Sequence, residues 1–514
     1  QGYFVYDSMK SGSITVSHLR FDKKPISSPY QIYQADFIGC HQFTFLQKIN
    51  MLQYAAKGAT FLLNSPYPPE KVWDKFPVSV QRTIIDKKLK VYIIDAGSIA
   101  SQIGLRGRIN TIMQTCFFAL SKLVPEEAAV SKIKEYICSS YGKGGETIVS
   151  MNLEAVDSAI RNLHRLQVPD QPSSTFDLRE AVSSDATTFV KLNTAKILRG
   201  RGDELPVSAF DADGTFPSDT SKYLKRGIST QIPVWEPQLC IQCGKCSFLC
   251  PHAVVRAKVY EKADLNGAPE SFQSVPASHP SLKGQYYTVA VSPQDCTGCR
   301  VCVEVCPGKD RKEPKIKALN MKPKDPLLQS GQQNWEFFLN LPQYDRSAST
   351  MRELQFVTPL FEFSGACAGC GETPYLTLLS RLFGDHALIA NATGCSSIYG
   401  GNEPVTPWAI NKEGKGPAWS NSLFEDNAEF GLGFRIAIDK QIEQCKELLY
   451  KLEPQIGQEL AEALIMADQN NTEEIEQQRS RVIALRDRLK QISNKEADDL
   501  LALSDALIKK SIWL

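Results

Sequence analysis

The sequence predicts a multidomain α/β protein with a small cysteine-rich module inserted between its α/β domains. Three observations lead to this prediction. The chain has 514 residues, which is enough for three or four domains. Strand-like and helix-like segments alternate over residues 1–169 and again from residue 358. Between those two regions, eight of the 15 cysteines fall in two matching runs.

The composition is that of an ordinary globular chain, with 42% hydrophobic and 22% charged residues. Lys and Arg number 58 against 57 Asp and Glu, so a net charge of +1 gives no electrostatic case for nucleic acid or an anionic membrane. No apolar run is long enough to cross a bilayer, and no secretion signal is visible. We therefore expect a cytoplasmic protein, whose cysteines serve something other than a disulfide framework.

Residues 1–169 are predicted to form an open, largely parallel α/β sheet. Residues 59–63 and 90–94 are apolar runs bounded by turn residues, as expected for buried strands. A strongly periodic helix follows, in which the apolar side chains at positions 109, 112, 113, 116, 117 and 120 share one face.

The remaining chain is predicted to contain four further parts. Residues 170–235 are a linker or small connecting domain, residues 236–320 are the cysteine-rich module, and residues 321–357 are a connector. Residues 358–514 begin another α/β domain. Residues 443–488 interrupt it with charge spacings suited to exposed helices, which predicts a helical hairpin.

Two cysteine runs carry the strongest chemical signal in the sequence. Both read C-x2-C-x2-C-x3-C-P, a spacing typical of [4Fe–4S] clusters, in which the fourth cysteine of one run ligates the other cluster. The ligands of the first cluster are therefore predicted to be Cys240, Cys243, Cys246 and Cys306, and those of the second Cys296, Cys299, Cys302 and Cys250. The alternative is structural zinc, which uses two separated cysteine pairs and fits two such four-cysteine runs poorly.

Between the two runs lies a polar segment, residues 260–287, that is rich in Gly, Pro and Ser. This composition predicts a surface loop inserted into the two-cluster module.

A third group contains only Cys367, Cys370 and Cys395. The first two precede a predicted helix that Thr373 caps and Pro374 opens, and Cys395 lies in the loop after a predicted strand. Loops at the carboxyl ends of strands are where α/β sheets hold ligands. Taken alone, the group is compatible with a third metal site, a redox C-x-x-C pair or buried thiols.

These residues resemble the pyruvate:ferredoxin (flavodoxin) oxidoreductase family, in its large single-chain form, over essentially the whole chain. Besides the cluster motifs, the resemblance is carried by QGYFVYDS at residues 1–8, VSHLR at 16–20, GRINTIMQT at 107–115 and GPAWSNSLFEDN at 416–427. It implies the oxidative decarboxylation of pyruvate to acetyl-CoA and CO2 on thiamine diphosphate. Two electrons would pass singly through three [4Fe–4S] clusters to ferredoxin or flavodoxin.

For the fold, the resemblance implies that residues 1–169 are the oxidoreductase gamma-like domain that contacts coenzyme A. It implies an α+β ferredoxin-like fold for residues 236–320. Residues 358–514 would be the N-terminal part of a thiamine diphosphate-binding α/β fold, incomplete in this chain.

The resemblance also implies roles for individual residues. Cys367, Cys370 and Cys395 would hold the third cluster, Glu372 and Cys395 would contact thiamine diphosphate, and Asn110, Asn152 and Lys10 would contact coenzyme A. Without the family, Asn110 is better explained as a helix cap and Asn152 as a turn residue. Glu372 at a helix start is explained by the helix dipole. Cys445, in an amphipathic helix, is interpreted as a core or surface residue and not as a cluster ligand.

The resemblance makes this chain a central fragment. The Gly-Asp-Gly motif that binds the Mg²⁺ of thiamine diphosphate, the fourth ligand of the third cluster and the pyrimidine-binding domain are expected in missing parts of the same enzyme. We expect the fragment to be inactive alone, the complete enzyme to be a homodimer, and neither nucleic acid nor membrane to be a partner.

Two other functions remain open at this stage. The chain could be a non-catalytic two-cluster electron-transfer subunit, or a purely structural iron–sulfur protein. Lys245, Arg300, Lys309 and Arg311, near the two runs, could attract an acidic electron carrier or could simply face solvent.

Overall fold

A computed structural model of the chain describes residues 1–6, 9–10, 12–105, 108–344, 348, 350–401 and 404–514. Residues 7, 8 and 107 of the segments quoted above lie outside the described residues. The chain divides into two compact units, one formed by Gln1–Tyr6 and Thr15–Ala209 and the other by Asp7–Ile14 and Phe210–Leu514. No helix in the described ranges is long and apolar enough to cross a membrane.

The first unit contains a four-stranded sheet, a separate hairpin and seven helices among its described residues. Its strands are β1 (Gly2–Tyr6), β2 (Thr15–Leu19), β3 (Ala35–Cys40), β4 (Ala55–Asn64), β5 (Lys90–Ile94) and β6 (His164–Arg165). Its helices are α1 (Pro69–Val72), α2 (Val78–Asp86), α3 (Ala96–Ile103), α4 (Asn110–Ser121), α5 (Glu126–Tyr141), α6 (Glu146–Arg161) and α7 (Ala195–Leu198).

The sheet has the order β3-β4-β5-β6, in which only the two-residue β6 runs antiparallel. The prediction of a largely parallel sheet is therefore confirmed, as are the two buried strands. Along β4, Phe61 and Leu63 face one hydrophobic core, whereas Leu62 faces the other. Because helices cover both faces, β4 must be apolar at consecutive positions, which is the pattern that the sequence displays.

Helix α4 has the predicted apolar face. Ile112, Met113 and Cys116 are fully buried against the second core, together with Ala155 and Ala159 of α6. The neighbouring Phe117 ring packs edge-on against Phe37, with the ring centroids 5.0 Å apart. The helix is thus fixed by tertiary packing and holds Asn110 at its exposed first position.

The second unit holds all the predicted cluster ligands. Its strands are β7 (Gln231–Trp235), β8 (Val255–Tyr260), β9 (Val275–Pro276), β10 (Tyr286–Val291), β11 (Leu319–Pro323), β12 (Ala387–Ala392), β13 (Ala418–Ser422) and β14 (Ser511–Trp513). Its helices are α8 (Lys245–Phe248), α9 (Val301–Glu304), α10 (Leu328–Asn340), α11 (Thr373–Phe383), α12 (Cys395–Gly400), α13 (Asn427–Ile456), α14 (Gln458–Ile465), α15 (Thr472–Leu489) and α16 (Lys495–Leu503).

The cysteine-rich module is built on two small sheets, β7 with β11 and β8-β10-β9. The segment 260–287 is not simply a surface loop, because its ends belong to the antiparallel pair β8 and β10 and its middle supplies β9. Tyr287 is 1% exposed, so the aromatic residues at the ends of the segment are core residues. The region predicted as a connector contains α10, whose Trp335 and Phe338 complete the core of the module.

Residues 358–514 contain a three-stranded parallel sheet of order β13-β12-β14. The prediction of a helical hairpin is wrong, because the region contains four helices and not two. These helices, α13 to α16, surround a core of their own. Leu449, Leu485 and Leu500 are each fully buried in that core. The charge pattern identified the exposed faces of these helices, and Gly457, whose φ of 91° suits glycine, ends α13.

Candidate iron–sulfur and cofactor sites

The first cysteine set surrounds a cavity. Cys240, Cys243 and Cys246 come from the loop before α8 and from α8 itself, and Cys306 comes from the end of the second run. Trp235, Tyr287 and the backbone of Gly308 complete the lining. The cavity encloses about 330 Å³, including the part open to solvent. The predicted four ligands of the first cluster, three from one run and one from the other, are therefore brought together.

The second set shows the reciprocal exchange. Cys250 and Cys299 both raise the pKa of Cys296 and of Cys302, as expected if the four predicted ligands of the second cluster are near neighbours, and Cys246 of the first set also raises the pKa of Cys302. In the second set, Cys250, Cys296 and Cys302 are buried and Cys299 is partly exposed, whereas every cysteine of the first set is partly exposed. The second site is consequently the drier of the two.

The two runs share one local backbone conformation. The third residue of each run, Gln242 or Gly298, has positive φ, and its N–H donates to the sulfur of the first cysteine at 3.4 Å. The fifth residue, Gly244 or Arg300, also has positive φ and precedes the short helix. These left-handed turns wrap the chain around each site. The repeat visible in the spacing is thus also a repeat in conformation.

At Gly298, this conformation has a steric requirement. Its φ is +71°, and a Cβ placed there would lie 2.4 Å from the Ser229 hydroxyl oxygen. Only glycine satisfies both conditions at this position.

Burial dominates the electrostatics of the thiols. It raises the pKa of Cys240, Cys246, Cys250 and Cys302, and it raises the pKa of Cys296 to about 12. Neighbouring cysteines raise these pKa values further, because several thiolates would repel one another. Such a set becomes anionic only when a positively charged inorganic centre compensates for the desolvation.

Buried donors accompany the cysteines. The indole of Trp235, in the lining of the first cavity, lies close enough to Cys240 to lower the pKa of its thiol by hydrogen bonding, and the buried hydroxyl of Thr297, next to Cys296, lacks a hydrogen-bond partner. Donors near cysteine sulfur are suited to the sulfides and thiolates of an iron–sulfur cluster, and hydrogen bonds to sulfur tune its potential. The donor set therefore fits a [4Fe–4S] cluster at both sites. Within the described ranges, no three His, Cys, Asp or Glu side chains are grouped so that they could hold a single metal ion.

The third cysteine group lies at the ends of three elements. Cys367 and Cys370 share a turn closed by the Cys370 N–H, which donates to the Cys367 carbonyl at 3.1 Å. Helix α11 begins three residues later. Cys395 is the first residue of α12, just beyond the carboxyl end of β12.

Glu372 lies among these cysteines. The Tyr399 hydroxyl is close enough to Glu372 for a hydrogen bond to affect its pKa, and the charges of Cys370 and Cys395 act on it as well. Burial, with these acidic neighbours, raises the pKa of Tyr399 well above its usual value. Glu372, and not Thr373 as the sequence predicts, is the N-cap residue of α11, and its side chain makes no capping hydrogen bond.

The third group lies beside the second. Gly369, between Cys367 and Cys370, has a positive φ and faces the second run. A Cβ added to it would lie 3.6 Å from Cγ2 of Val301 and 4.0 Å from Cβ of Cys299. Cys445 is not placed as a cluster ligand. It is fully buried in the core of α13 to α16, and its thiol donates to the Leu503 carbonyl at 3.3 Å. The interpretation of Cys445 as a core residue is confirmed.

The residues expected to contact coenzyme A have different surroundings. Asn110 is exposed, and it is the first residue of α4, not its cap, which is Ile109. Asn152 lies inside α6 and not in a turn. It accepts a hydrogen bond from Thr111 at 2.9 Å and donates one to the Ile148 carbonyl at 2.9 Å. Lys10 belongs to the second unit, where its N–H donates to the Gly365 carbonyl at 2.8 Å.

Sequence reasoning missed three side chains that border these sites: Trp235, Tyr399 and Arg381. Arg381 is 8% exposed, on the face of α11 that carries the buried Thr377. A cation on the buried face of a helix was the signal that could have identified it. The four cations considered as a carrier surface, Lys245, Arg300, Lys309 and Arg311, are all exposed.

Comparison with known proteins agrees with this geometry. Family models match residues 1–162 (pyruvate ferredoxin/flavodoxin oxidoreductase), 175–229 (a domain of unknown function) and 239–309 (4Fe-4S dicluster domain). Among curated proteins, the chain is 51% identical to a putative pyruvate-flavodoxin oxidoreductase of Synechocystis and 50% identical to the pyruvate-flavodoxin oxidoreductase of Nostoc. It is 44% identical to the pyruvate:ferredoxin oxidoreductase of Moorella thermoacetica.

Each of these three alignments covers 100% of this chain but only 43% or 44% of the relative. The chain therefore spans less than half the length of the relatives that it matches. With that restriction, the resemblance drawn from the motifs is confirmed, and along its whole length this chain is homologous to the pyruvate:ferredoxin (flavodoxin) oxidoreductase family.

Proposed function

We propose that this chain is the electron-transferring part of an enzyme that oxidatively decarboxylates pyruvate to acetyl-CoA and CO2, with ferredoxin or flavodoxin as acceptor. The single observation that supports this most is the pairing of cysteines across the two runs. Two four-cysteine sets, each completed by the other run, are the arrangement of a ferredoxin-like module with two [4Fe–4S] clusters. When bound, each cluster supplies a one-electron carrier.

The chain's own residues would perform three tasks at these sites. The first set, Cys240, Cys243, Cys246 and Cys306, and the second set, Cys296, Cys299, Cys302 and Cys250, would hold the clusters. Burial of Cys250, Cys296 and Cys302 would keep water from most of the second set, which strengthens the charge interactions there. The left-handed turns at Gln242 and Gly298 curve both loops around their cysteines.

The third group extends this arrangement toward the reacting centre. We propose that Cys367, Cys370 and Cys395 hold a third cluster together with a ligand outside this chain. The closeness of Gly369, between Cys367 and Cys370, to Cys299 supports electron transfer from the third site to the second. The first set, being partly exposed, would then be the exit toward the carrier.

Residues 358–514 would supply one part of the thiamine diphosphate site. Glu372 and Cys395 are the residues proposed to contact the cofactor, and Cys395 lies just beyond the carboxyl end of β12, where α/β sheets bind ligands. The cofactor would supply the stabilisation of a carbanion, and its Mg²⁺ ligands would come from other sequence. Residues 1–169 would contact coenzyme A, with Asn110, Asn152 and Lys10 as the candidate contacts.

The test is anaerobic reconstitution of the chain with iron and sulfide. We expect about eight iron atoms per chain from the two complete sets, and paramagnetic signals after reduction with dithionite. A colourless chain that holds zinc instead would contradict the proposal. Binding of thiamine diphosphate to the chain reassembled with the rest of the enzyme would distinguish the enzyme from a non-catalytic electron-transfer subunit.

A further inference from the structure

Gln242 is a buried residue in the loop between the first two cysteines of the first run. It is 7% exposed, whereas its neighbour Ile241 is 59% exposed. Its backbone N–H donates to the Cys240 sulfur at 3.4 Å. Its φ is 54°, in the left-handed region that residues with a Cβ disfavour. The loop therefore holds an unfavourable backbone conformation at the residue whose N–H contacts the sulfur.

The side chain of Gln242 bonds to the segment 260–287, which is inserted between the two runs. Its Nε2 donates to the Pro276 carbonyl at 2.9 Å. Its Oε1 accepts hydrogen bonds from the Ser278 N–H at 2.8 Å and from the Ser278 hydroxyl at 3.0 Å. Both lone pairs of the amide oxygen are thus used. These bonds, all made to the inserted segment, hold Gln242 in its left-handed conformation.

The inserted segment is itself fixed to the module. Its strand β9 pairs with β10, where Val275 lies opposite Tyr287 of the cavity lining. Next to β9, the Tyr260 hydroxyl donates to the Ser274 hydroxyl oxygen at 2.7 Å. The partners of the Gln242 side chain therefore lie on and just after a strand that is bonded to the core of the module.

The second run reaches the same conformation by other means. Gly298 has the position of Gln242 in its run, its φ is 71°, and its N–H donates to the Cys296 sulfur at 3.4 Å. Glycine adopts positive φ without steric cost, so no side chain has to hold it there. The first run has glutamine at this position, and the bonds from the inserted segment supply the stabilisation that its backbone lacks.

We propose that Gln242 is a positioning residue through which the segment 260–287 raises the reduction potential of the first cluster. This inference rests on the proposed function. A cluster carries one more negative charge after it takes up an electron, so an N–H donor at a ligand sulfur stabilises the reduced form more than the oxidised form. The bonds from the inserted segment keep the N–H of Gln242 directed at Cys240.

The effect bears on the direction of electron flow. Because all the cysteines of the first set are partly exposed, this site is the proposed exit toward the carrier. A raised potential at the first site favours transfer of an electron to it from the second site. Gln242 acts through the conformation of the loop, so it is a positioning residue in this scheme and not a catalytic one.

The experiment is a redox titration of the cluster-loaded full chain, followed by electron paramagnetic resonance. Signals are assigned to the two sites with Cys250→Ser and Cys306→Ser. Alanine has neither the bonds of Gln242 nor the tolerance of glycine for positive φ. In Gln242→Ala, we therefore expect the equilibrium constant for reduction of the first cluster to fall at least threefold, which is about 28 mV for one electron. The midpoint of the second cluster should shift by less than half as much.

Ser278→Pro and Ser278→Ala are a matched pair on the side of the inserted segment. Both remove the hydroxyl, but only proline also removes the backbone N–H that donates to Gln242. We expect Ser278→Pro to lower the first midpoint, as Gln242→Ala does, and Ser278→Ala to cause less than half of that shift. Because neither substitution alters a cysteine run, the pair tests the proposal even where Gln242→Ala fails to load its first cluster.

Loss of the first cluster alone from Gln242→Ala or Ser278→Pro, with retention in Ser278→Ala, would also support the positioning role. Unshifted first midpoints in both Gln242→Ala and Ser278→Pro would contradict it, as would equal shifts of the two clusters or equal effects of the two Ser278 substitutions. Absence of any cluster signal from the wild-type chain would instead contradict the proposed function.

Discussion

The exchange of one cysteine between two sites is decided at the scale of single residues. Cys306 lines the cavity of the first set although it belongs to the second run, and Cys250 interacts with Cys296 and Cys302 although it belongs to the first. A substitution in one run should therefore damage the cluster that the other run mainly holds.

Cys250→Ser should deplete the second cluster and Cys306→Ser the first. In each variant, we expect iron to fall from about eight to about four atoms per chain, because each cubane contains four. Iron analysis and the resonance signal that survives identify the remaining cluster. Cys138→Ser is the control, since this cysteine is exposed and lies in the first unit. Retention of the second cluster's signal in Cys250→Ser would contradict the exchange.

At the scale of elements, the short helices α8 and α9 hold the middle of each run, whereas α13 to α16 form a core that contains no proposed ligand. That core is formed by ordinary apolar packing. Shortening one of its buried side chains should therefore lower the stability of the fold by the amount usual for creating a cavity. Leu485 is 0% exposed and Ile483, two residues earlier on α15, is 59% exposed. Alanine substitutions at these two positions therefore distinguish the contribution of side-chain packing from that of helix propensity within one helix.

We expect Leu485→Ala to lower the free energy of unfolding of this helical region by about 2–5 kcal/mol. Ile483→Ala should change it by less than about 0.5 kcal/mol, because its side chain is already largely in solvent. Urea unfolding followed by circular dichroism measures both. Cluster content should be unchanged in both variants, and equal destabilisation by the two substitutions would show that the helices do not pack as described.

At the scale of the whole molecule, the net charge of +1 conceals a local concentration of cations around the partly exposed first site. Lys309 and Arg311 lie three and five residues after Cys306 and are exposed, as are Lys312 and Lys315. Ile241, in the lining of the cavity, is 59% exposed. A basic surface around one exposed apolar side chain is suited to transient, electrostatically guided binding of an acidic electron carrier.

Lys309→Glu combined with Arg311→Glu should slow electron transfer from the dithionite-reduced chain to oxidised flavodoxin by at least about tenfold at low salt. The difference should shrink as salt screens the surface charges. Stopped-flow absorbance measures the rate. Lys495→Glu, an exposed site at the start of α16, is the control and should react at the wild-type rate. Equal slowing by the control would exclude a local docking role for the two cations.

The sequence by itself predicted the two cysteine sets, the buried strands of the first unit and the homology, because these depend on spacing and periodicity within short segments. It did not predict that residues 260–287 pair as strands or that four helices follow residue 427, since long-range pairing and packing decide those elements. It placed Asn152 in a turn, although the hydrogen bond from Thr111 holds it inside a helix.

Only the tertiary structure could place Arg381 among its neutral partners Gln355 and Ser247, and Gly369 close to Cys299. A motif states which residues are near in sequence, and a ligand set can be read from it. The potential of a bound cluster depends instead on charges and burial contributed by distant segments. Those are set by the three-dimensional arrangement of the chain, which no short pattern in the sequence encodes.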